Sequence, residues 1–267
     1  MTRYLDIYRT QLKTNIMLQL QYRAAMAIWL IDTVLQPLIY LVVWTTVARA
    51  SGGQLVGFSG GDFASYYIIL MVVNHLTFTW IMFVFEYNVR YGQFSFALLR
   101  ALHPIHTDIA ENLGYKVLSL AVILPAVVIM AVAFDAKWQP QLWAVLAFLP
   151  ALALAFLTRF LLEWTLAQAA FWTTRVDAVN QVFFVAQLFF SGFIAPLALL
   201  PAPLRLVANA LPLRWQLAFP VDLALGRLSW QQTLQGYAMQ GLWLLATFAL
   251  MRLVWRQGVR RYSAVGQ

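Results

Sequence analysis

The chain has no cysteine, which excludes disulfides and thiolate metal sites. Charge is scarce too. Asp, Glu, Lys and Arg make up 10% of the 267 residues, where soluble domains carry about a quarter. Only three histidines occur, His75, His103 and His106. Pro104 separates the last two and argues against one regular helix through both, and no third ligand is near, so no metal site is expected. Walker A and H-E-x-x-H motifs are both missing. The start, "MTRYLDIYRTQLKTN", has no early apolar run and no small-residue cleavage site, so it does not read as a signal peptide. Acidic residues number 10 against 18 basic ones, for a formal net charge of +8. That excess is spread over the ends of apolar runs, where basic residues set membrane topology, so a nucleic-acid partner is not expected.

What is present is apolar sequence, 62% of the chain, in continuous runs long enough to span a bilayer. Continuous runs exclude the alternating segments of a transmembrane β-barrel. The reading is an all-α polytopic membrane protein with one transmembrane domain over 1–267 and six spans near 24–48, 63–86, 113–134, 141–170, 177–194 and 234–255. The fourth is long enough to tilt, and Trp138, Trp143, Trp164 and Trp172 near its ends suit interfacial anchors.

Ahead of the spans, residues 3–22 read as an amphipathic helix in the membrane interface. Arg3, Asp6, Arg9, Thr10 and Lys13 fall on one side; Tyr4, Tyr8 and Leu12, with Leu5 and Ile16, fall on the other. A cytosolic extension of the first span is the alternative. With the N-terminus inside, twelve Lys and Arg residues fall on the cytoplasmic side, Arg23, Lys116 and Arg175 among them, and five fall outside. The positive-inside rule then places both termini in the cytoplasm of a cell-membrane protein.

Two connections stand out. The first outer loop, "ASGGQLVGFSGGD", holds five glycines and is either flexible or tightly turning. Residues 191–233 hold five of the ten prolines, Pro196, Pro201, Pro203, Pro212 and Pro220, within apolar sequence. A straight span cannot hold so many, so short helices joined by proline turns and dipping into the outer leaflet are expected.

Polar residues inside spans are costly and so informative: Asp32, Asn74, His75, Arg159, Glu163 and Asn180. Arg159 and Glu163, four apart, share a helical face and can pair. They either pin helix packing or line a substrate path. Asp32 and His75 serve either as packing hydrogen-bond partners or as walls of an aqueous cavity.

The stretch "GQFSFALLRALHPIH", from Gly92 to His106, is too short to cross a bilayer and too apolar for an ordinary loop. Phe94, Ala97, Leu98 and Ala101 recur at helical spacing, and Phe96, Leu99 and Leu102 fill the other sides, with Arg100 the one charge. A short helix apolar nearly all round should be buried on most faces. It either docks in a groove of another protein or folds against its own.

Three features together resemble the permease subunits of ABC-2-type ABC transporters, in the branch whose short six-span permeases are encoded apart from their ATPase. They are the interfacial N-terminal helix, the loop "VRYGQFSFALLRALHPIHTDI" at 89–109, and "FFSGFIAPLALLPAPLRLVANALPLRWQLAFPVDLALG" at 189–226. Ala101 stands where the family often has proline. The resemblance covers essentially the whole chain. It implies a coupling helix over 92–102 seated in an ATPase groove, with Gly92, Gln93, Phe94, Phe96, Leu98, Leu99, Arg100 and Pro104 as the coupling residues. It also implies a re-entrant outer segment over 191–226 that gates the exit, with Ser191, Gly192, Pro196, Pro201, Pro203 and Pro212 at the gate.

The resemblance implies no chemistry and no directly bound cofactor on this chain; ATP and Mg would sit on cytoplasmic ATPase partners. A second permease, preferably a different chain rather than an identical one, would complete the path of an ATP-driven exporter in the lipid bilayer. The alternatives are a proton-coupled secondary transporter, for which Asp32, His75 and Glu163 are a thin relay, and a membrane-embedded enzyme, for which convergent polar residues would be needed.

Overall fold

Long apolar runs free of any alternating pattern fold here into helices, and most of them outrun the bilayer. The computed structural model describes residues 2–21, 23–173 and 175–262, with side chains for 6–21, 28–173 and 175–262. The side chains of Arg3, Tyr4, Leu5 and Arg23, which the sequence assigns to the first helix and the entrance to the first span, lie outside the described residues.

In chain order the helices are α1 (Thr2–Gln21), α2 (Arg23–Ala50), α3 (Gly60–Thr77), α4 (Ile81–Arg90), α5 (Phe94–Leu98), α6 (Pro104–Ala133), α7 (Leu142–Ala167) and α8 (Asp177–Phe190). Then follow α9 (Ala202–Ala210), α10 (Pro212–Gln216), α11 (Ala218–Ala224) and α12 (Trp230–Gly258). Single 3-10 turns occupy Gln168–Phe171 and Leu197–Leu199. Among the described residues, five stretches are long and apolar enough to cross a membrane: α2, α3 with α4, α6, α7 with its 3-10 turn, and α12. The expected fifth span, 177–194, is a shorter apolar helix of 14 residues. At 1.5 Å per residue it reaches about 21 Å, less than the hydrocarbon core. The chain then bends at Gly192, whose φ of +89° favours glycine.

The glycine-rich first loop turns tightly. Strands β1 (Gln54–Leu55) and β2 (Phe58–Ser59) pair antiparallel, joined by Val56 and Gly57, both at positive φ as a two-residue hairpin turn requires. Ser59 and Asp62 then cap α3 reciprocally, and Asp62 also pairs with Arg227 at 3.2 Å. That bridge ties the hairpin to the chain leading into α12, itself started by a Ser229–Gln232 capping box.

Helix α1 is separate from α2 and lies along α6. Tyr8 Oη is 2.6 Å from His106 Nδ1, and Gln11 Nε2 donates to Thr107 Oγ1 at 3.3 Å. A Cβ on Gly114 would meet Asn15 Cβ at 3.3 Å, so the missing side chain allows this close approach.

The second span is the central one: 56% of its apolar window is buried, against 22% for α2 and 17% for α12. It is not continuous. Expected as one helix over 63–86, it is broken at Phe78–Trp80, and the apolar core divides at the same level. Tyr66, Tyr67, Leu70 and Ile123 belong to one cluster toward the hairpin; Phe85, Phe160, Trp164 and Phe171 belong to another toward α5.

The proline-rich segment forms the short helices expected of it. Pro203 and Pro212 occupy first turns, where a missing N–H costs nothing, and Pro196 and Pro201 stand just ahead of helical turns.

Candidate functional site

The break in the second span contains neither glycine nor proline, so its cause lies in the neighbours. Phe78 adopts an extended conformation after α3, and α4 restarts at Ile81. A break at this depth frees backbone groups that hydrocarbon cannot satisfy. Lys116 on α6 supplies one partner, its Nζ donating to the Phe78 carbonyl at 2.6 Å. A cation there also complements the negative end of the α3 dipole. Thr79 supplies another: its Oγ1 accepts from the Ile81 amide at 3.5 Å and donates to Glu163 Oε2 at 2.5 Å.

On α7 the spacing of four puts Arg159 and Glu163 on one face, and they pair at 2.8 Å with side-chain exposures of 2% and 0%. Arg159 also donates through one terminal nitrogen to Asn74 Oδ1 at 2.9 Å and Thr77 Oγ1 at 3.1 Å. The Thr77 hydroxyl, which accepts from Arg159, donates its own proton back to the Val73 carbonyl at 2.9 Å. The guanidinium lies 5.3 Å from the centre of the Phe78 ring. At the next residue of α3, His75 Nε2 meets Ser119 Oγ of α6 at 2.6 Å. The result is a polar layer between the two apolar clusters, in which two basic heads and one carboxylate close the gap between α3 and α4.

The sequence-predicted residues distribute unevenly around this layer. Asn74, Arg159 and Glu163 are joined in it, and His75 borders it. Asp32 lies on the outward face of α2, and with Gln36, Asn74, His75 and Tyr115 it lines a pocket of about 70 Å³ beside the break. Asn180 is elsewhere, on α8, buried, with no partner for its amide among the described residues. Lys116, Thr77, Thr79 and Ser119 were not among the expected site residues. Lys116 in particular was assigned to the cytoplasmic side, because the third span was expected to begin at 113. In the structure α6 begins at Pro104, and Lys116 is buried three turns inside it. The signal was available, since proline at the first helical position marks a helix start. Among the described residues no group of His, Asp and Glu is arranged to hold a metal ion.

The stretch after α4 turns at Gly92, with φ +72°. Its helical part is α5, five residues rather than the expected 92–102, followed by turns up to Leu102. Pro104 does not end α5 but opens α6. The apolar residues divide between two directions. Phe94 is 3% exposed, with its ring centre 4.8 Å from Phe85, 5.5 Å from Phe171 and 5.7 Å from Tyr262. Phe96 and Leu99 are 69% and 83% exposed, and Leu98 lies between these extremes. Between α5 and α6 a cleft of about 490 Å³ is lined by Gln93, Phe96, Arg100, Asp108 and Glu111 among others.

The proline-rich segment is held by aromatic side chains of the first two spans. Tyr66 Oη donates to the Gly192 carbonyl at 2.7 Å. Tyr67 Oη and Trp44 Nε1 both donate to Ile194 O, at 2.8 Å and 2.7 Å. Ser191, Gly192, Pro196 and Pro212 are buried, whereas Pro201 and Pro203 are exposed. Beyond α8, the exposed Leu204 of α9 continues an apolar face begun by Val182, Val185 and Phe189.

Against known proteins, a family model described as ABC-2 family transporter protein matches residues 34–266. No curated protein and no solved structure matches the chain.

Proposed function

Because the chain belongs to the ABC-2 transporter family, and is therefore the membrane permease component of an ABC transporter rather than an enzyme, we propose that it is half of an ATP-driven exporter powered by separate ATP-binding subunits. In this reading ATP and Mg reside on those subunits. α5 transmits their movement, residues 191–226 gate the outer end, and both termini lie in the cytoplasm. The positive-inside count supports that orientation even after Lys116 is removed from it.

The observation that carries the proposal is the division of apolar residues at α5. Phe94 fixes the helix to the core, and Phe96 and Leu99 present bare apolar surface beside Gln93 and Arg100. A rigid knob of that kind suits a groove on a partner protein. It also joins directly to α4, whose far end meets the Thr79–Glu163 contact. A push on α5 therefore reaches the polar layer through a single short helix. The bonds of Arg159, Glu163 and Lys116 to protein atoms favour a hinge that is opened and closed over a relay that moves protons.

A second permease is part of the proposal. One chain encloses little volume between its helices, and the apolar faces of α2 and α8 are open to a partner, at Ile31, Leu35, Val182 and Val185 for example. The test is co-purification of a tagged chain with its companions identified by mass, followed by transport in vesicles with vanadate. Recovery of an ATPase and loss of transport with vanadate are expected. Transport that survives vanadate and stops with a protonophore would replace the exporter by a secondary carrier.

A further inference from the structure

Away from the polar layer, α6, α7 and α12 leave a trough of about 780 Å³ open to the outside of the helix bundle. Its walls are apolar: Leu157, Phe160, Leu161, Leu244, Leu245 and Phe248. Phe160 and Leu161 form a closed floor at 0% and 8% exposure, while Leu245 and Phe248 form an open rim at 70% and 45%. At one end the chemistry changes abruptly. Arg252 and Arg256, four apart and so on one face of α12, stand beside His103 and His106 at the start of α6. No carboxylate lines the trough, and neither arginine is in an ion pair among the described residues. His103 Nδ1 accepts from the Ile105 amide at 3.3 Å, so in the neutral ring the proton sits on Nε2, which can donate.

We propose that this trough is a binding site for one anionic glycerophospholipid, its phosphate held by Arg252 and Arg256 and an acyl chain laid along Leu157, Leu161, Leu245 and Phe248. A slot between spans that is apolar along its length and basic at its interfacial end matches such a lipid in both parts. Arginine's forked donors fit a phosphate's oxygens better than a solvated point charge does. Inorganic phosphate matches only the basic end, and a zwitterionic lipid brings its own cation to that end. Arginines that merely reach the interface need no trough behind them. The proposal rests on the exporter reading only for the leaflet, which is then the cytoplasmic one.

The test uses the full-length purified chain, and needs neither ATPase nor transport. Native mass spectrometry and thermal melting are followed as the delipidated protein is titrated with phosphatidylglycerol, phosphatidylcholine, dihexanoyl phosphatidylglycerol or inorganic phosphate. Long-chain phosphatidylglycerol is expected to be retained and to raise the melting temperature, with the other three weaker. The Arg252→Gln/Arg256→Gln variant changes only exposed side chains, so it should fold as the wild type does. It should bind phosphatidylglycerol about thirtyfold less tightly, the effect of two basic contacts to an anionic surface. Equal retention of phosphatidylcholine, unchanged binding by the variant, or protection by inorganic phosphate alone would each overturn the proposal. Failure of the exporter reading would leave these results unchanged.

Discussion

Phe94 and Leu99 lie five residues apart on one short connection and stand at opposite extremes, 3% and 83% exposed. Phe94 is enclosed by Phe85, Phe171, Trp255 and Tyr262, and Ser95 Oγ meets Tyr262 Oη at 3.0 Å beside it. Truncating Phe94 empties a filled aromatic site, so Phe94→Ala should cost about 3–5 kcal/mol and lower the permease's own melting temperature. Phe96→Ala and Leu99→Ala remove surface that is mostly exposed in this chain. They should leave melting unchanged and weaken ATPase capture, by about 2 kcal/mol if either is a buried anchor of the interface. Pull-down alongside melting of the permease alone separates the two outcomes. Full ATPase capture by both exposed variants would remove α5 as the coupling element.

The polar layer predicts strong coupling between Arg159 and Glu163. Arg159→Leu alone strands a carboxylate that is 0% exposed, and Glu163→Leu strands a guanidinium that is 2% exposed. Either should cost about 3–5 kcal/mol, and the double variant less than the sum, since neither partner of the pair is then left without the other. Lys116→Met should also destabilise, by leaving the Phe78 carbonyl without its donor. Melting of the three α7 variants decides the matter, strict additivity being the result that would dissolve the pair. A double variant that is stable yet does not transport would move the pair from packing to the path.

Much of this arrangement was legible in the sequence because hydrophobic length and spacing are local properties. The long spans follow from unbroken apolar runs, the short helices of 196–216 from prolines at 196, 201, 203 and 212, and the Arg159–Glu163 pair from a spacing of four. The break at Phe78–Trp80 was not legible. The residues there are good span residues, and what ends α3 is a set of partners from α6 and α7, distant in sequence. The start of α6 was missed for a related reason: hydropathy marks where a helix becomes apolar, while the cap at His103 and Pro104 marks where it begins. The two faces of α5 were hidden because its pattern is apolar all round, and only tertiary packing chooses Phe94 for the inside.

Gly192 is where the proline-rich segment turns, and its geometry makes a sharp prediction. A Cβ there would lie 2.7 Å from Tyr66 Oη and 3.0 Å from Ala218 Cβ, at a φ of +89°. Gly192→Ala should therefore carry about 1–3 kcal/mol of backbone strain in addition to the clash. Tyr66→Phe should cost about 1–3 kcal/mol by leaving the buried Gly192 carbonyl without its donor. Because removal of that hydroxyl also removes the nearest clashing atom, the two changes together should cost less than their sum. Chemical or thermal denaturation of the four proteins measures this. Full additivity would mean that the tyrosine moves freely and does not hold the turn.

Topology can be read with introduced cysteines, since the chain has none of its own. Gln54 in the hairpin and Ala101 after α5 are both exposed in the chain, and neither sits at a positive φ. In intact cells Gln54→Cys should react with an impermeant maleimide, whereas Ala101→Cys should react only after the membrane is opened. Labelling in the reverse order would invert the orientation and take α5 away from any cytoplasmic ATPase.

The start of α6 should make stability depend on pH. His103 caps that helix through Nδ1, and its ring centre lies 4.5 Å from that of Trp255 and 5.7 Å from that of Trp164. Burial, and next the neighbouring His106, hold the His103 imidazole below its ordinary value of 6.5. The unfolded chain thus takes up a proton near 6.5 that the folded protein refuses until lower pH. The stability from neutral His103 is complete above 6.5 and drains away as pH falls from 6.5 to the lowered folded value. Protonation of Nδ1 also ends its acceptance of the Ile105 amide, so loss of the cap and burial of charge act in the same direction. Asparagine can cap the helix without titrating. His103→Asn should lose the packing on Trp255 and melt lower near pH 7.5, yet fall less steeply than the wild type between pH 7 and 5. The difference between the two melting profiles isolates His103 from the other groups that titrate in that range. Parallel profiles would show that His103 does not carry the dependence.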